Sequence, residues 1–342
     1  MKRWDGYQKG VNLGGWLSQS DHTKQTYDTY IKQEDIQRIA MWGVDHVRLP
    51  IDYNLVQRED GSFIEENFKY IDDCISWCGE AGLNMILDVH SASGYSFDAD
   101  DGSGEGFFKQ EDKIEMFIAL WTELTKRYVK YDDRVAFELL NEVVNECDNA
   151  PWMEIAKRTV DLIRGYSKDI KILIGAYYNN SIMTVKYIAP PFDENIVYNV
   201  HCYEPLFFTH QGAYWVKTMP PDFRMAYPFT KEEYIKQASA VDESYLNTVW
   251  AMEDGVIDIQ YFENLFAEAI QIANDRDVYL YCGEYGVIDL VDAQSTLNWI
   301  RDIHGVFDKY GIGRSIWNYK GKDFGLLDDR LDSVRDELYK CL

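Results

Sequence analysis

An α/β fold, specifically a TIM (β/α)8 barrel with an inserted subdomain after its sixth strand, is predicted by three observations on the 342-residue sequence. Short apolar runs alternate with longer amphipathic ones. The alternation can be counted to eight. No dinucleotide-type glycine fingerprint follows the first strand, which favours a closed barrel over an open sheet.

Strand-like runs fall at residues 10–13, 46–49, 84–89, 135–139, 171–174, 196–203, 278–282 and 314–318. Helix-patterned segments lie between and after them, at 34–42, 68–81, 112–129, 151–166, 182–188, 259–274, 292–310 and 332–341. Their apolar residues recur at three- and four-residue spacing, as in Met116, Leu120, Trp121 and Leu124, so each presents one stripe to the barrel. A strand–helix repeat of this kind requires parallel strands joined by crossovers. The reading gives one barrel domain over residues 1–342.

The interval from His201 to Glu284 is about twice the others. Its surplus, residues 205–258, holds Pro220, Pro221, Pro228 and many aromatics, and reads as an elaborated loop or subdomain rather than a linker. A second insertion, residues 91–111, carries several glycines and the acidic run Asp98-Ala99-Asp100-Asp101. Gly102 falls where a calcium loop needs an oxygen ligand, so a solvated loop is expected there and no metal.

Composition narrows the function. With 34 Lys and Arg against 58 Asp and Glu, the net charge is −24, which repels phosphate backbones and anionic lipid surfaces. Neither nucleic acid nor a membrane is therefore expected as a partner. No apolar run is long enough to span a bilayer, and the basic start Met1-Lys2-Arg3 lacks the apolar stretch of a signal peptide. A chain of this kind is expected in the cytoplasm, or is numbered after processing. The six cysteines are too sparse for a disulfide scaffold, and Cys74 and Cys78, one helical turn apart, read as buried thiols. The 10 Trp, 25 Tyr and 16 Phe suit either a thick core or a surface on which sugars stack.

Barrel enzymes build their chemistry at the C-terminal ends of the strands. Those positions here carry Asn12, Arg48, Asp88 with His90, Asn141 with Glu142, His201 with Tyr203, Glu284 and Trp317. Burying so many polar groups is costly unless they pair, and a merely structural barrel has no use for them. Glu142 and Glu284 follow strands four and seven, which are not neighbours, so their ends face across the barrel mouth. Two carboxylates flanking a bond are what glycoside hydrolysis requires. Neither a nucleophile-elbow serine nor a phosphate-binding loop is present.

These residues stand in motifs that resemble glycoside hydrolase family 5. They are Lys9-Gly10-Val11-Asn12-Leu13-Gly14-Gly15-Trp16, His46-Val47-Arg48-Leu49-Pro50, Leu87-Asp88-Val89-His90, Leu139-Leu140-Asn141-Glu142, Val200-His201-Cys202-Tyr203, Gly283-Glu284-Tyr285-Gly286 and Ile316-Trp317-Asn318-Tyr319. They run from the first strand to the last. The Phe207-Phe208-Thr209-His210-Gln211 segment and the long sixth loop look most like clostridial and rumen-type endoglucanases. Val143 and Tyr285 stand where the family often has Pro and Phe.

The resemblance implies a retaining endo-β-1,4-glucanase acting on cellulose-type and mixed-linkage β-glucans, with no cofactor and as a monomer. It implies Glu142 as general acid/base and Glu284 as nucleophile, with carboxyl groups about 5–5.5 Å apart. Asn141 would hold the sugar 2-hydroxyl. Arg48 and Tyr203 would flank Glu284, His201 would tune Glu142, His90 would bind a sugar hydroxyl and Trp317 would form a stacking floor. Trp16 and Trp215 are candidates for further stacking or for the core. A β-1,3-glucanase, a β-mannanase and a non-catalytic carbohydrate-binding barrel are the rival readings. Two glutamates with Asn141 and Arg48 argue against the last.

Overall fold

Eight strands close into a parallel barrel in chain order: β1 (Gly10–Asn12), β2 (His46–Asp52), β3 (Asn84–Ser91), β4 (Val135–Glu138), β5 (Ile172–Ile174), β6 (Ile196–His201), β7 (Tyr279–Glu284) and β8 (Gly313–Ile316). β8 returns to pair with β1 through Gly10↔Ser315 and Val11↔Ile316. The computed structural model describes residues 1–97 and 106–342. The expected calcium-free acidic loop at 98–102 lies outside the described residues.

Strands β1, β2, β4, β5, β6 and β8 are buried along their whole length. This follows from a parallel sheet whose outer face is covered by helices and whose inner face is filled by side chains. The bottom of the barrel is stoppered from the N-terminal side. Trp4 stacks on Tyr7 at 3.9 Å, and both pack against Ile86, Ala136, Leu173, Val197 and Tyr281.

The surrounding helices follow the amphipathic pattern: Gln33–Ala40, Phe68–Ala81, Glu111–Tyr128, Glu146–Arg164, Ile259–Asp275, Ala293–Tyr310 and Arg335–Cys341. The Ala293–Tyr310 helix starts where Asp292 accepts from the Ser295 N–H, and stops at Gly311, whose φ of +69° is the left-handed stop glycine favours. Two segments differ from the sequence pattern. The helix expected from 151 begins at Glu146, so Pro151 lies inside it. The helix expected at 182–188 is a 3-10 helix, Ile182–Tyr187, preceded by residues 178–180 with φ of 59°, 55° and 53°. The β5–β6 crossover is therefore not α-helical.

Residues 205–258 contain a short helix Leu206–Thr209, a helix Lys231–Ser239 and 3-10 turns at Glu243–Leu246 and Val249–Ala251. The Lys231–Ser239 helix opens with a reciprocal cap between Thr230 and Glu233. Phe207, Phe208, Tyr227, Phe229, Tyr234 and Tyr245 are buried and belong to the main hydrophobic core. The aromatics of this segment thus pack it onto the barrel. Cys74 and Cys78 are buried, and all six cysteines are free. Among the described residues, no helix is long and apolar enough to cross a membrane.

Candidate active site

The site is built upward from Arg48, which is fully buried on β2. A guanidinium in such a place needs every N–H satisfied, and here each one is. Nε and Nη2 fork onto Glu138 at 2.7 Å each, Nη1 reaches Asn12 Oδ1 at 3.0 Å and Glu284 Oε1 at 2.8 Å, and Nη2 also reaches Asn141 Oδ1 at 2.8 Å. Asp88 Oδ2 lies 3.1 Å from Nη2. Strand register produces this convergence, since β1 and β2 align Asn12 with Arg48 and β3 and β4 align Asp88 with Glu138. Asn12 in turn ties the strands beside it, its amide donating to the carbonyls of Gly283 and Ser315 at 3.0 Å each. Asn199 donates to Glu138 from β6 at 2.8 Å.

One cation among three buried carboxylates leaves an excess of negative charge. Burial pushes the Asp88 carboxyl up to about 7 against the pull of Arg48, with Asp52 and Glu142 adding to the rise. Burial also raises Glu138, and Arg48 again opposes it. Asp88 is therefore the group that keeps a proton. Its folded-state pKa exceeds the unfolded value, so between about pH 4 and pH 7 the folded chain holds a proton the unfolded chain has released. Wild-type stability falls with rising pH over that window by about 1.4 kcal/mol per unit from this group. Asp88→Asn removes the slope. Urea unfolding at pH 5 and pH 8 is expected to show the substitution costing more at pH 5; a gap that widens towards pH 8 would contradict the assignment.

Glu284 ends β7, with Oε1 held by Arg48 and Oε2 accepting from the Tyr203 hydroxyl at 3.0 Å. The two contacts fix the orientation of the carboxyl group across the mouth. Glu142 lies beyond the end of β4, in the loop before the Glu146–Arg164 helix, not on the strand. Its Oε1 is 2.6 Å from His201 Nδ1, and its Oε2 accepts from Asn179 Nδ2 at 2.8 Å. A register shift after Val200 sets His201 opposite Glu284, with Nδ1 3.8 Å from Glu284 Oε2. Burial pushes the His201 imidazole down to about 4, so it is neutral at pH 5 to 8. Glu142, His201 and Glu284 each offer one ligand-type atom within 4.8 Å of the others, the one such group among the described residues that could hold a metal ion.

His90 Nδ1 lies 2.6 Å from Asp88 Oδ2, and its ring stacks at 5.8 Å and 7° on Trp317, just past β8. Burial lowers the His90 imidazole. Trp317 covers Gly14 so closely that a Cβ there would come within 2.4 Å of the indole, which explains the glycine in the first-strand motif. Asn318 locks this corner, donating to the Gly14 carbonyl and accepting from the Gly14 N–H.

A cleft of about 900 Å³ opens above, and Glu142, His201, Tyr203, Glu284 and Trp317 line it. Arg48, His90 and Asn141 are buried, Arg48 bonding to Glu284, His90 stacking on Trp317 and Asn141 accepting from Arg48. Trp215, from the segment between β6 and β7, reaches the cleft wall and is 39% exposed. Trp16 does not reach it: the ring is fully buried, stacks on Trp77, and donates its indole N–H to the Tyr27 carbonyl. Of its two candidate roles, Trp16 has the core one.

Glu138, Tyr95 and Asn179 are site residues that sequence reasoning missed. A lone glutamate inside the apolar run Ala136-Phe137-Glu138-Leu139-Leu140 was a usable signal. So was the Asn-Asn pair after β5, since Asn tolerates left-handed backbone. Nothing in the sequence marks Tyr95, which is buried and donates to the Glu142 carbonyl at 2.5 Å.

The family model for cellulases (glycosyl hydrolase family 5) matches residues 4–323. Cellodextrinase A of Ruminococcus flavefaciens is 42% identical over 314 residues, covering 92% of this chain and 86% of that protein. Endoglucanase C of Acetivibrio thermocellus is 35% identical over 344 residues and covers 98% of each. In architecture the chain is similar to the crystal structure of endoglucanase Cel5A from Thermotoga maritima, with a TM-score of 0.76 at 23% identity and coverage of 98% and 97%. Sequence match and barrel architecture agree over nearly the whole length, and the chain belongs to glycosyl hydrolase family 5.

Proposed function

We propose that the protein is a retaining endo-β-1,4-glucanase that cleaves cellulose-type chains and mixed-linkage β-glucans, acting as a monomer through one catalytic unit spanning residues 1–342. The observation that carries the reading is the spacing of the two glutamates across the mouth. Oxygens of Glu142 and Glu284 lie within 4.8 Å of each other, which suits direct attack by a carboxylate and leaves no room for the water of an inverting enzyme. The names and identities of the relatives from R. flavefaciens and A. thermocellus support the same substrate class.

In this reading Glu284 attacks the anomeric carbon while Glu142 protonates the departing glycosidic oxygen. The resulting glycosyl ester on Glu284 is opened by a water that Glu142 deprotonates, and two inversions return the β configuration. Activity exists only where Glu284 is ionised and Glu142 protonated. Arg48 and Tyr203 hold both oxygens of Glu284. The Asn141 Nδ2 is buried without a hydrogen-bond partner among the described residues, and it is the donor for the sugar 2-hydroxyl. His90 and Trp317 form the floor for the sugar that becomes covalently bound.

Parallel digestion of cellohexaose, lichenan, laminarin and mannan tests the linkage. Internal cleavage of cellohexaose and lichenan is expected; faster cleavage of laminarin would favour a β-1,3-glucanase, and of mannan a β-mannanase. Residues 205–258 serve as an inserted subdomain that shapes binding beyond the cut, because Tyr214 and Trp215 from it line the cleft. Shortening it is expected to weaken action on long chains about tenfold, the loss of one good stacking contact, while sparing an activated aryl glycoside. Equal losses on both substrates in a folded variant would count against that role.

A further inference from the structure

Three successive residues, Tyr178, Asn179 and Asn180, stand in the left-handed backbone region, with φ of 59°, 55° and 53°. None is glycine, so the turn is strained and must be held by its surroundings. What holds it is the segment that carries Glu142. The Tyr178 N–H donates to the Val144 carbonyl at 3.1 Å and the Asn179 N–H to the Val143 carbonyl at 3.0 Å. The Asn180 side-chain amide donates to the Asn141 carbonyl. From the other side, the Tyr95 hydroxyl takes the Glu142 carbonyl at 2.5 Å and accepts from the Val144 N–H at 3.1 Å. All four carbonyls from Asn141 to Val144 are thus captured, three of them by the left-handed turn. The turn then adds a fourth contact, from Asn179 Nδ2 to Glu142 Oε2 at 2.8 Å.

We propose that the left-handed turn at residues 178–180 is a positioning device for Glu142, and that Asn179 sets the facing of its carboxyl group and how readily it gives up its proton. The proposal rests on the reading of Glu142 as acid/base. His201 fixes one carboxyl oxygen and Asn179 the other, so the carboxyl cannot rotate without losing both partners. An amide N–H favours the carboxylate over the acid, so Asn179 opposes the charged neighbours that favour the acid. The one facing Glu142 throughout is Glu284 from β7; Asp88 from β3 joins it only as it loses its own proton near pH 7. The other titratable groups around it, His90 and Tyr95 from the β3 side and His201 and Tyr203 from the β6 side, are uncharged at neutral pH. The strain of the turn is what brings the amide to Oε2: an α- or β-region Asn179 would lose its own N–H bond to Val143 and turn the side chain away.

Asn179→Gly tests this, because glycine adopts the left-handed backbone freely and keeps the turn's main-chain bonds. Its melting temperature is expected to match or exceed wild type. The alkaline limb of kcat/KM is expected to move up by about half to one pH unit. Hydrolysis of unactivated cellotetraose should fall about tenfold, a fraction of the full value of a general acid, with a loss several times smaller on an aryl cellobioside whose leaving group needs no proton. Asn179→Asp, which sets a carboxylate beside Oε2, should move the alkaline limb further up. A limb within about 0.2 unit of wild type in both variants, or equal losses on the two substrates, overturns the proposal. Glu142→Ala assayed alongside separates the two levels. If it too loses equally on both substrates, the acid/base reading fails; if it discriminates between them and Asn179→Gly does not, only the positioning role fails.

Discussion

Glu284→Gly is expected to reduce turnover by about 10⁴-fold or more on every substrate, activated aryl glycosides included, since no other group can form the ester. Azide added to this variant should enter the vacated space, attack the anomeric carbon once and release the α-glycosyl azide. Glu142→Ala is expected to differ in kind. It should still cleave substrates whose leaving group departs without a proton, and azide there should intercept the ester to give the β-azide. Proton NMR of the first sugar formed by wild-type enzyme checks the underlying claim. An initial β-anomer is expected, and an initial α-anomer would mean inversion.

Arg48→Met is expected to cost about 3–5 kcal/mol of stability, the penalty of leaving buried carboxylates without their cation. Arg48 bonds to Glu138, Glu284, Asn12 and Asn141 at once, so no neighbour can substitute for it. Activity should fall to background even where the variant stays folded, because Glu284 loses the charge that keeps Oε1 in place. Adding Glu138→Gln removes one stranded charge and should restore part of the stability and none of the activity. Urea midpoints and aryl-glycoside rates for the single and double variants check both halves. A single variant within about 1 kcal/mol of wild type would mean that water already solvates the network.

The strand ends were legible because barrel geometry converts a sequence position into a place. Arg48, Asn141, Glu142, His201, Tyr203, Glu284 and Trp317 converge on one mouth as their order along the chain implied. What lies beneath was harder to see. Asp88 was visible as a strand-end carboxylate, but its proton depends on the count of charges buried around Arg48, and that count includes Glu138, hidden in an apolar run. Residues 182–188 carry helical spacing, yet the chain entering them is bent by three left-handed residues that bond to the loop carrying Glu142. Local pattern cannot report that tertiary demand. Trp16 was ambiguous for a related reason: tryptophan fills a core and a sugar platform equally well, and only the packing against Trp77 decides.

The return of β8 to β1 has a consequence in time. Every other strand pair joins neighbours in sequence, whereas Gly10↔Ser315 joins the two ends of the chain. Loop-closure entropy grows only slowly with length, so the pairing is affordable; its order is what matters, since it cannot form before the last strand exists. Asn12 spans that seam, bonding Ser315 and Gly283 while accepting from Arg48. The guanidinium that steadies Glu284 is therefore fully engaged only after the circle shuts. A truncation that removes β8 is therefore expected to leave a sheet with two open edges, and Asn12 without its bond to Ser315 beside the buried charge cluster.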